Sequence, residues 1–436
     1  MYYFEISVII FYIKQASACM SFRGKMKVTG IVAEYNPFHN GHEHQIKKAR
    51  EITGADFIVV VLSGNFMQRG VPAIIDKYER ARMALMGGAD LVIEIPTCYA
   101  TASAEYYSAG ALSTLENLGV VDSLCFGSEC GDIDILSNVA ATLASESSEY
   151  KEVLKQKLKA GNSFPVARSQ ALSQTMNGFS AYSNVLGSPN NILGIEYIKS
   201  IIRRGYKIKP YTHMRIGSDY HSYRLSENVS SAIAIRESLS LQDDLTRIKA
   251  QVPMTTYEIL EKHFHKIFPI FAVDFTSLIK FKLIREQKKG YTRYLDVTGD
   301  LSDRLAKGSF MMEEYEEFCN AMKTKDVTYA RISRILCHIL LDVFADEVSE
   351  YMDNGISYYA RVLGFKESSK ELLTAIKKNT SIPMITKVSE AKNVLYPLGM
   401  RMFEQDIYAS HVYECLVDAK YGGGLFDEYR REVVKV

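Results

Sequence analysis

Two histidines, His39 and His42, lie three positions apart around Gly41. They follow an apolar run, Val28–Ala33, that is long enough for one buried strand. Pro37 ends this run because its ring fixes φ, and a helical pattern begins directly afterwards. Backbone N–H groups at a helix start have no partner within the helix, and the helix dipole makes that end positive. The junction therefore predicts a phosphate site.

The longer stretch AEYNPFHNGH, residues 33–42, resembles the signature of the HIGH nucleotidyltransferase superfamily. Enzymes of that superfamily attack the α-phosphate of a nucleotide and expel pyrophosphate. The full string is more specific than its H-x-G-H core, and it resembles the bacterial tRNA(Met) cytidine acetate ligases from about Met26 to near the C-terminus. The alternative from the residues alone is that His39 and His42 only cap the start of a helix.

Apolar runs and helical patterns alternate through the first part of the chain. Further strands are expected at 56–62, 90–95, 122–126 and 209–216, with helices at 76–86 and 102–118. This alternation predicts an α/β domain with a parallel sheet, and the resemblance implies a Rossmann-like form. Ligands of such sheets bind beyond the carboxyl ends of the strands, where His39, residues 63–65 and Gly127 fall. Neither G-x-G-x-x-G after the first strand nor a P-loop motif occurs, which disfavours dinucleotide oxidoreductases and P-loop enzymes.

The 436 residues are enough for two or three domains, and helical patterns replace the alternation beyond about Leu239. We expect a nucleotidyltransferase domain that binds ATP and carries catalysis at 26–240, and a mainly α-helical C-terminal domain that binds tRNA at 241–436. Residues 1–25 are apolar, but Glu5 and Lys14 interrupt them. We interpret this segment as a non-native or misassigned start, with a weak membrane anchor as the alternative.

The bulk composition restricts the partners and the compartment. Because the net charge is only +1, any RNA site must be a local basic patch. The seven cysteines are odd in number and form no C-x-x-C, which favours a reduced, cytoplasmic protein over a disulfide framework or a zinc site. No protein partner and no membrane are predicted.

The resemblance implies that His39 and His42 are catalytic and that a larger set of residues contacts ATP. That set comprises Val32, Ala33, Glu34, Tyr35, Asn36, Pro37, Phe38, His39, Asn40, Gly41, His42, Glu43, His44, Gln45, Gly127, Asn190, Asn191, Arg215, Ile216, Ser231 and Arg236. The residues do not decide which Asn of the 190–191 pair contacts ATP, because Asn is also a good helix cap.

Around Ser231 the sequence departs from the second motif of the superfamily, Ser-Ser-Thr-x-Ile-Arg. Ala232 and Ile233 stand where that motif has a second Ser and the Thr. Part of the hydroxyl set for the outer phosphates is therefore missing. We expect main-chain N–H groups at the helix start, together with Arg236, to serve instead.

Basic residues interleaved with aromatic ones in the helical half suggest tRNA binding, because they suit phosphate neutralisation and base stacking. The aromatic members are Tyr291 and Tyr294. The basic members are Lys280, Lys282, Arg285, Lys288, Lys289, Arg293, Arg331 and Arg334. A solvated helix face is the ordinary alternative for such a charge run.

The resemblance implies an ATP-dependent ligase that activates acetate as acetyl-adenylate. The acetyl group would pass to N4 of the wobble cytidine of elongator tRNA(Met), giving N4-acetylcytidine, with Mg²⁺ expected on the nucleotide. One alternative is an adenylyltransferase acting on a phosphorylated small molecule, which would need no RNA patch. The other is a non-catalytic nucleotide- or RNA-binding module, which the altered second motif alone supports.

Overall fold

A computed structural model of the chain describes residues 26–162, 164–175, 185–215 and 230–436. The predicted extension at 1–25 lies outside these ranges. No helix among the described residues combines the length and the apolar character needed to cross a lipid bilayer. The six cysteines in the described ranges are all free thiols.

One eight-stranded sheet forms the centre of the structure. Its strands are β1 (Val28–Ala33), β2 (Phe57–Ser63), β3 (Leu91–Ile95), β4 (Ser123–Ser128), β5 (Lys209–Met214), β6 (Ala360–Phe365), β7 (Met384–Ile385) and β8 (Val434–Lys435). Their order is β5-β4-β1-β2-β3-β6-β7, with β8 beside β6. Strands β1 to β5 run parallel, and β1 pairs with β2 from Val28 opposite Phe57 to Ala33 opposite Leu62. This confirms the predicted α/β fold with a parallel sheet.

Helices cover both faces of the parallel strands. Those of the first half are α1 (Asn40–Thr53), α2 (Lys77–Met86), α3 (Thr97–Ala100), α4 (Ala104–Asn117), α5 (Ile133–Ser145), α6 (Ser148–Lys159), α7 (Phe164–Thr175) and α8 (Pro189–Arg204). In β2, Val59 and Val61 pack in the same core as α4, whereas Ile58 and Val60 pack in the core of α1 and α2. Both faces of β2 are therefore buried, which agrees with its apolar sequence from residue 57 to residue 62.

The second half is mainly helical, as expected. Its helices are α9 (Ala232–Leu241), α10 (Met254–His263), α11 (Thr276–Glu286), α12 (Gly299–Gly308), α13 (Tyr315–Ala321), α14 (Tyr329–Leu340), α15 (Ala345–Asp353), α16 (Lys370–Asn379) and α17 (Pro397–Tyr421). This half also returns β6, β7 and β8 to the sheet, and β6 pairs antiparallel with β3. The sequence did not predict these strands, and the domain boundary near residue 240 stays a prediction.

A buried group of charged side chains joins the two halves. The Lys77 ammonium lies 2.8 Å from a carboxylate oxygen of Glu94 and 2.8 Å from one of Glu428. Arg361, on β6, pairs with the same two carboxylates. All four side chains are almost completely buried, so each charge depends on its partners. The C-terminal segment is thereby held against β3.

Candidate nucleotide-binding site

A cavity of about 180 Å³ opens beyond the carboxyl ends of β1 and β4, where the alternation of the sequence places a ligand. The starts of three helices, α1, α8 and α9, contribute to its wall. Helix starts present unpaired N–H groups and positive potential. The lining residues are Val32, Ala33, Glu34, Tyr35, Asn36, His39, His42, Gln45, Met67, Gln68, Arg69, Val71, Tyr107, Phe126, Gly127, Asn190, Leu193, Tyr197, Arg215, Ser231, Ala232, Ile233 and Arg236.

His39 and His42 cap the start of α1 reciprocally. Nδ1 of His39 accepts a hydrogen bond from the Gly41 N–H at 3.1 Å, and Nδ1 of His42 accepts one from the His39 N–H at 3.3 Å. The two rings stack with their centroids 3.6 Å apart. This is a capping box in which imidazoles replace the usual hydroxyl and carboxyl groups. The two histidines do cap the helix, and the cap uses one nitrogen of each ring; whether capping is their only role is a separate question that the second nitrogen decides.

The protonation state of each ring determines whether its other nitrogen, Nε2, donates or accepts a hydrogen bond. Burial, followed by the charges of Arg215 and Arg236, lowers the pKa of His39 to about 3. Burial, His39 and Arg215 also hold the pKa of His42 well below its ordinary value. Both imidazoles are therefore neutral near pH 7. Because each Nδ1 accepts a hydrogen bond, the single proton of each ring is on Nε2. The site thus has two Nε2–H donors whose orientation the helix cap fixes.

The start of α8 is capped by a carboxylate from the end of β4. Glu129 accepts hydrogen bonds from the N–H of Asn190 at 3.2 Å, from the Asn190 Nδ2 at 2.6 Å and from the N–H of Asn191 at 2.8 Å. The Asn191 side chain is buried, and its Oδ1 accepts from the N–H groups of Glu129 and Cys130. Asn190, by contrast, lines the cavity, and its Oδ1 accepts from the Arg215 guanidinium at 2.8 Å. The two asparagines therefore have different surroundings: Asn190 faces the cavity, whereas Asn191 holds the backbone after β4. The sequence alone did not distinguish them.

Arg215 crosses the β4 backbone at Gly127. A Cβ on Gly127 would lie 2.9 Å from Cγ of Arg215 and 3.4 Å from a ring carbon of His213. The absence of a side chain therefore lets the Arg215 side chain lie against the strand and reach the cavity.

On the opposite wall, Ser231 caps α9 by accepting from the Ala234 N–H at 3.1 Å. Arg236 donates to the Asn36 carbonyl at 2.6 Å, which ties α9 to the loop after β1. The Asn36 side chain accepts from the Ile74 N–H at 2.7 Å, so its amide holds a neighbouring loop. The Ser231 hydroxyl is therefore used in the cap. That the main-chain N–H groups of this helix start, together with Arg236, hold the outer phosphates stays a prediction.

The loop after β2 supplies cavity residues that the sequence analysis missed. It contributes Met67, Gln68, Arg69 and Val71, whereas the predicted residues 63–65 lie outside the lining. The reason is the buried Arg80, which takes the carbonyls of Ser63, Gly64 and Glu34 as acceptors and closes the strand ends. The loop can therefore turn towards the cavity only a few residues later.

The other missed lining residues come from helices and strand ends. Tyr107, Phe126, Leu193, Tyr197, Ala232 and Ile233 belong to this group. A strand-end position could have indicated Phe126, because it precedes the predicted Gly127. The tyrosines lie inside helices with no local signal that distinguishes them from core residues.

Of the predicted ATP contacts, thirteen line the cavity: Val32, Ala33, Glu34, Tyr35, Asn36, His39, His42, Gln45, Gly127, Asn190, Arg215, Ser231 and Arg236. Seven do not, namely Pro37, Phe38, Asn40, Gly41, Glu43, His44 and Asn191. Phe38 is buried in the core, and Asn40 donates to the Ala250 carbonyl at 2.9 Å. Ile216 lies outside the described residues.

The residues predicted to bind tRNA fall into different environments. Tyr291 and Tyr294 are fully buried, so the expectation that these rings stack on bases is corrected: they are core residues. Acidic partners engage Lys282 through Asp342, Lys289 and Arg293 through Glu286, and Arg334 through Asp296. Arg331 donates to the Asp296 carbonyl at 3.0 Å. Lys280 is half-buried on α11, while Arg285 and Lys288 are exposed.

Metal-binding side chains are sparse. The described part of the chain contains no group of three or more His, Cys, Asp or Glu side chains that could hold a metal ion. Among the described lining residues, Glu34 is the single carboxylate, and its Oε1 already accepts from the Gln68 N–H at 2.7 Å. A divalent cation would therefore depend on ligand atoms that a nucleotide brings with it.

Comparison with known proteins adds to this geometry. The HIGH Nucleotidyl Transferase family model matches residues 26–423. The tRNA(Met) cytidine acetate ligase of Clostridium perfringens is 39% identical over 399 residues, covering 90% of this chain and 96% of the relative. That of Acetivibrio thermocellus is 40% identical over 398 residues, covering 89% of this chain and 94% of the relative.

The fold is also similar to that of solved structures. The crystal structure of apo Thermotoga maritima TmcAL has a TM-score of 0.88 and 31% identity, covering 94% of this chain and 100% of that chain. A crystal structure of the same protein bound with alpha-thio ATP has a TM-score of 0.85 and 31% identity, covering 94% of this chain and 99% of that chain.

Proposed function

Because the chain belongs to the HIGH nucleotidyltransferases and, within them, to the tRNA(Met) cytidine acetate ligase family, we propose that it uses ATP to join acetate to N4 of the wobble cytidine of elongator tRNA(Met). The observation that carries the proposal is the reciprocal imidazole cap in the wall of the cavity. This cap leaves both Nε2–H groups as donors for an anion. We expect the enzyme to act in the cytoplasm, where its tRNA substrate is found.

The three helix starts divide the cavity between the two ends of ATP. The start of α8 is already occupied by the Glu129 carboxylate, so it has little attraction for phosphate. Within the described residues, the caps of α1 and α9 are made by His39, His42 and Ser231 rather than by a carboxylate, and Arg236 lines the cavity beside them. The triphosphate therefore belongs at α1 and α9, and the nucleoside belongs near Gly127, Asn190 and the apolar Leu193.

The first half-reaction is an in-line displacement at the α-phosphorus. An acetate oxygen forms a bond to this phosphorus while the bond to the bridging oxygen of the β-phosphate breaks, so pyrophosphate leaves and acetyl-adenylate remains. Such transfers depend mainly on positioning and on stabilisation of the developing charge. His39 and His42 donate to the α-phosphate oxygens through Nε2–H, and their neutral state lets them remain fixed in the absence of ligand.

In the second half-reaction the cytidine amine attacks the acyl carbon. A bond from nitrogen to carbon forms, the bond from that carbon to the adenylate oxygen breaks, and AMP leaves with that oxygen while the amine loses a proton. Mg²⁺ supplies charge neutralisation when it accompanies ATP. With Glu34 engaged by Gln68, the phosphate oxygens would be its main ligands.

The tRNA surface that we propose is one face of α11 and the adjoining turn at 309–311. Phe281 is 63% exposed on α11, and Phe310 is 59% exposed on the turn. Gln287 Nε2 donates to Ser309 Oγ at 3.3 Å and links the two segments. Lys280 and Arg285 lie on α11, and Lys288 lies in the turn that follows it. Exposed rings among basic side chains suit the bases and phosphates of a single-stranded loop, so these phenylalanines take the role that the sequence assigned to tyrosines.

A charge reversal tests this surface. Arg285→Glu should raise KM for tRNA about tenfold, because it replaces a phosphate contact by repulsion. Acetate-dependent exchange of pyrophosphate into ATP should be unchanged in the absence of tRNA. Lys155→Glu is the matched control, since Lys155 is exposed on α6. Equal effects of the two substitutions on KM for tRNA would exclude the α11 face.

The function as a whole is tested by mass spectrometry of tRNA incubated with the protein, ATP and acetate. We expect one added acetyl group, on a cytidine of tRNA(Met). Pyrophosphate release that requires a phosphorylated small molecule instead of acetate would favour an ordinary adenylyltransferase. ATP binding without turnover under either condition would favour a non-catalytic module.

A further inference from the structure

Glu129, Asn190 and Arg215 form a chain of hydrogen bonds from the end of β4 into the cavity. The Glu129 carboxylate accepts from the Asn190 Nδ2 at 2.6 Å, and the Asn190 Oδ1 accepts from the Arg215 guanidinium at 2.8 Å. Glu129 itself is not part of the cavity wall, whereas the other two residues are.

The chemistry of the two outer groups fixes the orientation of the amide between them. An ionised carboxylate only accepts hydrogen bonds, and a guanidinium only donates them. The Asn190 amide, which has one end of each kind, must therefore turn its NH₂ towards Glu129 and its oxygen towards Arg215. With the amide reversed, two donors would face each other at Arg215 and two acceptors at Glu129. The carboxylate thus sets which atom of Asn190 holds the guanidinium.

We propose that Glu129 is a positioning residue for ATP, which acts by orienting the Asn190 amide and thereby the Arg215 guanidinium. The inference rests on the proposed function, because it takes ATP as the ligand of the cavity. The backbone supports the same arrangement, since Asn191 Oδ1 accepts from the N–H groups of Glu129 and Cys130 at 3.0 and 3.1 Å. This return contact fixes the Glu129 backbone against α8.

Glu129→Gln is the direct test, because it keeps the shape of the side chain and removes the acceptor-only character. A glutamine can donate to Asn190 Oδ1, which allows the amide to reverse and present its NH₂ to Arg215. We expect KM for ATP in acetate-dependent pyrophosphate exchange to rise about tenfold, with kcat nearly unchanged. Asp132→Asn is the matched control. Asp132 caps α5 through the N–H groups of Asp134 and Ile135, and α5 is not part of the chain to Arg215.

A double-mutant cycle separates positioning from a structural role. In an Arg215→Ala background, Glu129→Gln should leave KM for ATP unchanged, because the residue through which it acts is gone. A tenfold effect that persists in that background, or a KM within twofold of wild type for the single variant, would overturn the inference. If Glu129→Gln does not fold, Glu129→Asp replaces it. That side chain retains the acceptor-only group but is shorter, so a rise of about threefold is expected and no rise would overturn the inference.

Calorimetric titration of the wild-type protein with ATP keeps this test distinct from that of the proposed function. If the wild type does not bind ATP, the proposed function fails. If it binds and the Glu129 variant has the same affinity, the positioning role alone fails.

Discussion

Replacement of His39 by asparagine separates its two roles, because asparagine is an equally good helix N-cap. In His39→Asn the side-chain oxygen can accept the Gly41 N–H that Nδ1 accepts now at 3.1 Å. The Nε2–H donor is lost. Removal of one fixed donor to a developing oxyanion typically costs ~10²–10³ in rate, or about 3–4 kcal/mol. We therefore expect acetate-dependent pyrophosphate exchange to fall by roughly that factor, with little change in the free energy of unfolding by urea.

Two further variants make the result interpretable. His39→Ala removes both the donor and the cap. Its exchange rate should fall by the same factor as that of His39→Asn, and its free energy of unfolding should fall by about 1 kcal/mol as well. Ser147→Ala removes the cap of α6, which Ser147 makes by accepting from the Tyr150 N–H at 3.2 Å. It should lose about 1 kcal/mol of stability at unchanged rate. An exchange rate of His39→Asn within threefold of wild type, in folded protein, would refute the donor role.

Three more predictions follow from individual contacts. His39, with its pKa lowered from 6.5 to about 3, binds a proton below pH 6.5 only in the unfolded chain. The free energy of unfolding should therefore fall on acidification by up to about 1.4 kcal/mol per pH unit in this range. Between pH 7 and pH 5, urea unfolding should show a smaller fall for His39→Asn than for the wild type, and equal falls would contradict this. Glu428→Gln removes the negative charge that faces the buried Lys77, and it should lower the free energy of unfolding by about 3 kcal/mol in urea. A loss below about 1 kcal/mol would show that the pair contributes little. Gly127→Ala should displace Arg215 and raise KM for ATP about tenfold, and an unchanged KM would show that Arg215 is not needed there.

The sequence predicts the parallel part of the fold because its signals are local. The apolar runs that became β1 to β4 are bounded by turn residues, and the histidine junction lies at the end of the first. β6 was not predicted, because it lies among helical patterns and its antiparallel pairing with β3 joins segments that are far apart in the chain. The same holds for the buried partners Lys77 and Glu428, which are distant in sequence.

Among the residues that line the cavity, those in sequence motifs were predicted, and those brought there by contacts between distant segments were missed. Asn190 and Asn191 are the same residue type at adjacent positions, so the sequence does not distinguish them. They differ in their contacts with Glu129, which follows β4 and accepts from the Asn190 side chain but from the Asn191 main chain. Tyr291 was expected on the surface because its neighbours are basic, yet it is in the core. Tyr107, on α4, lines the cavity without any local signal. Burial of aromatic rings depends on packing between helices, which the charge pattern does not encode.

Isotope transfer tests the central claim most directly. If an acetate oxygen attacks the α-phosphorus in the cavity that His39 and His42 line, that oxygen becomes the bridge of acetyl-adenylate and leaves with AMP. With acetate carrying ¹⁸O in both positions, mass spectrometry of a complete reaction with ATP and tRNA should find one ¹⁸O atom in each AMP and one in the acetyl group on the tRNA. Acetylated tRNA accompanied by unlabelled AMP would contradict the account.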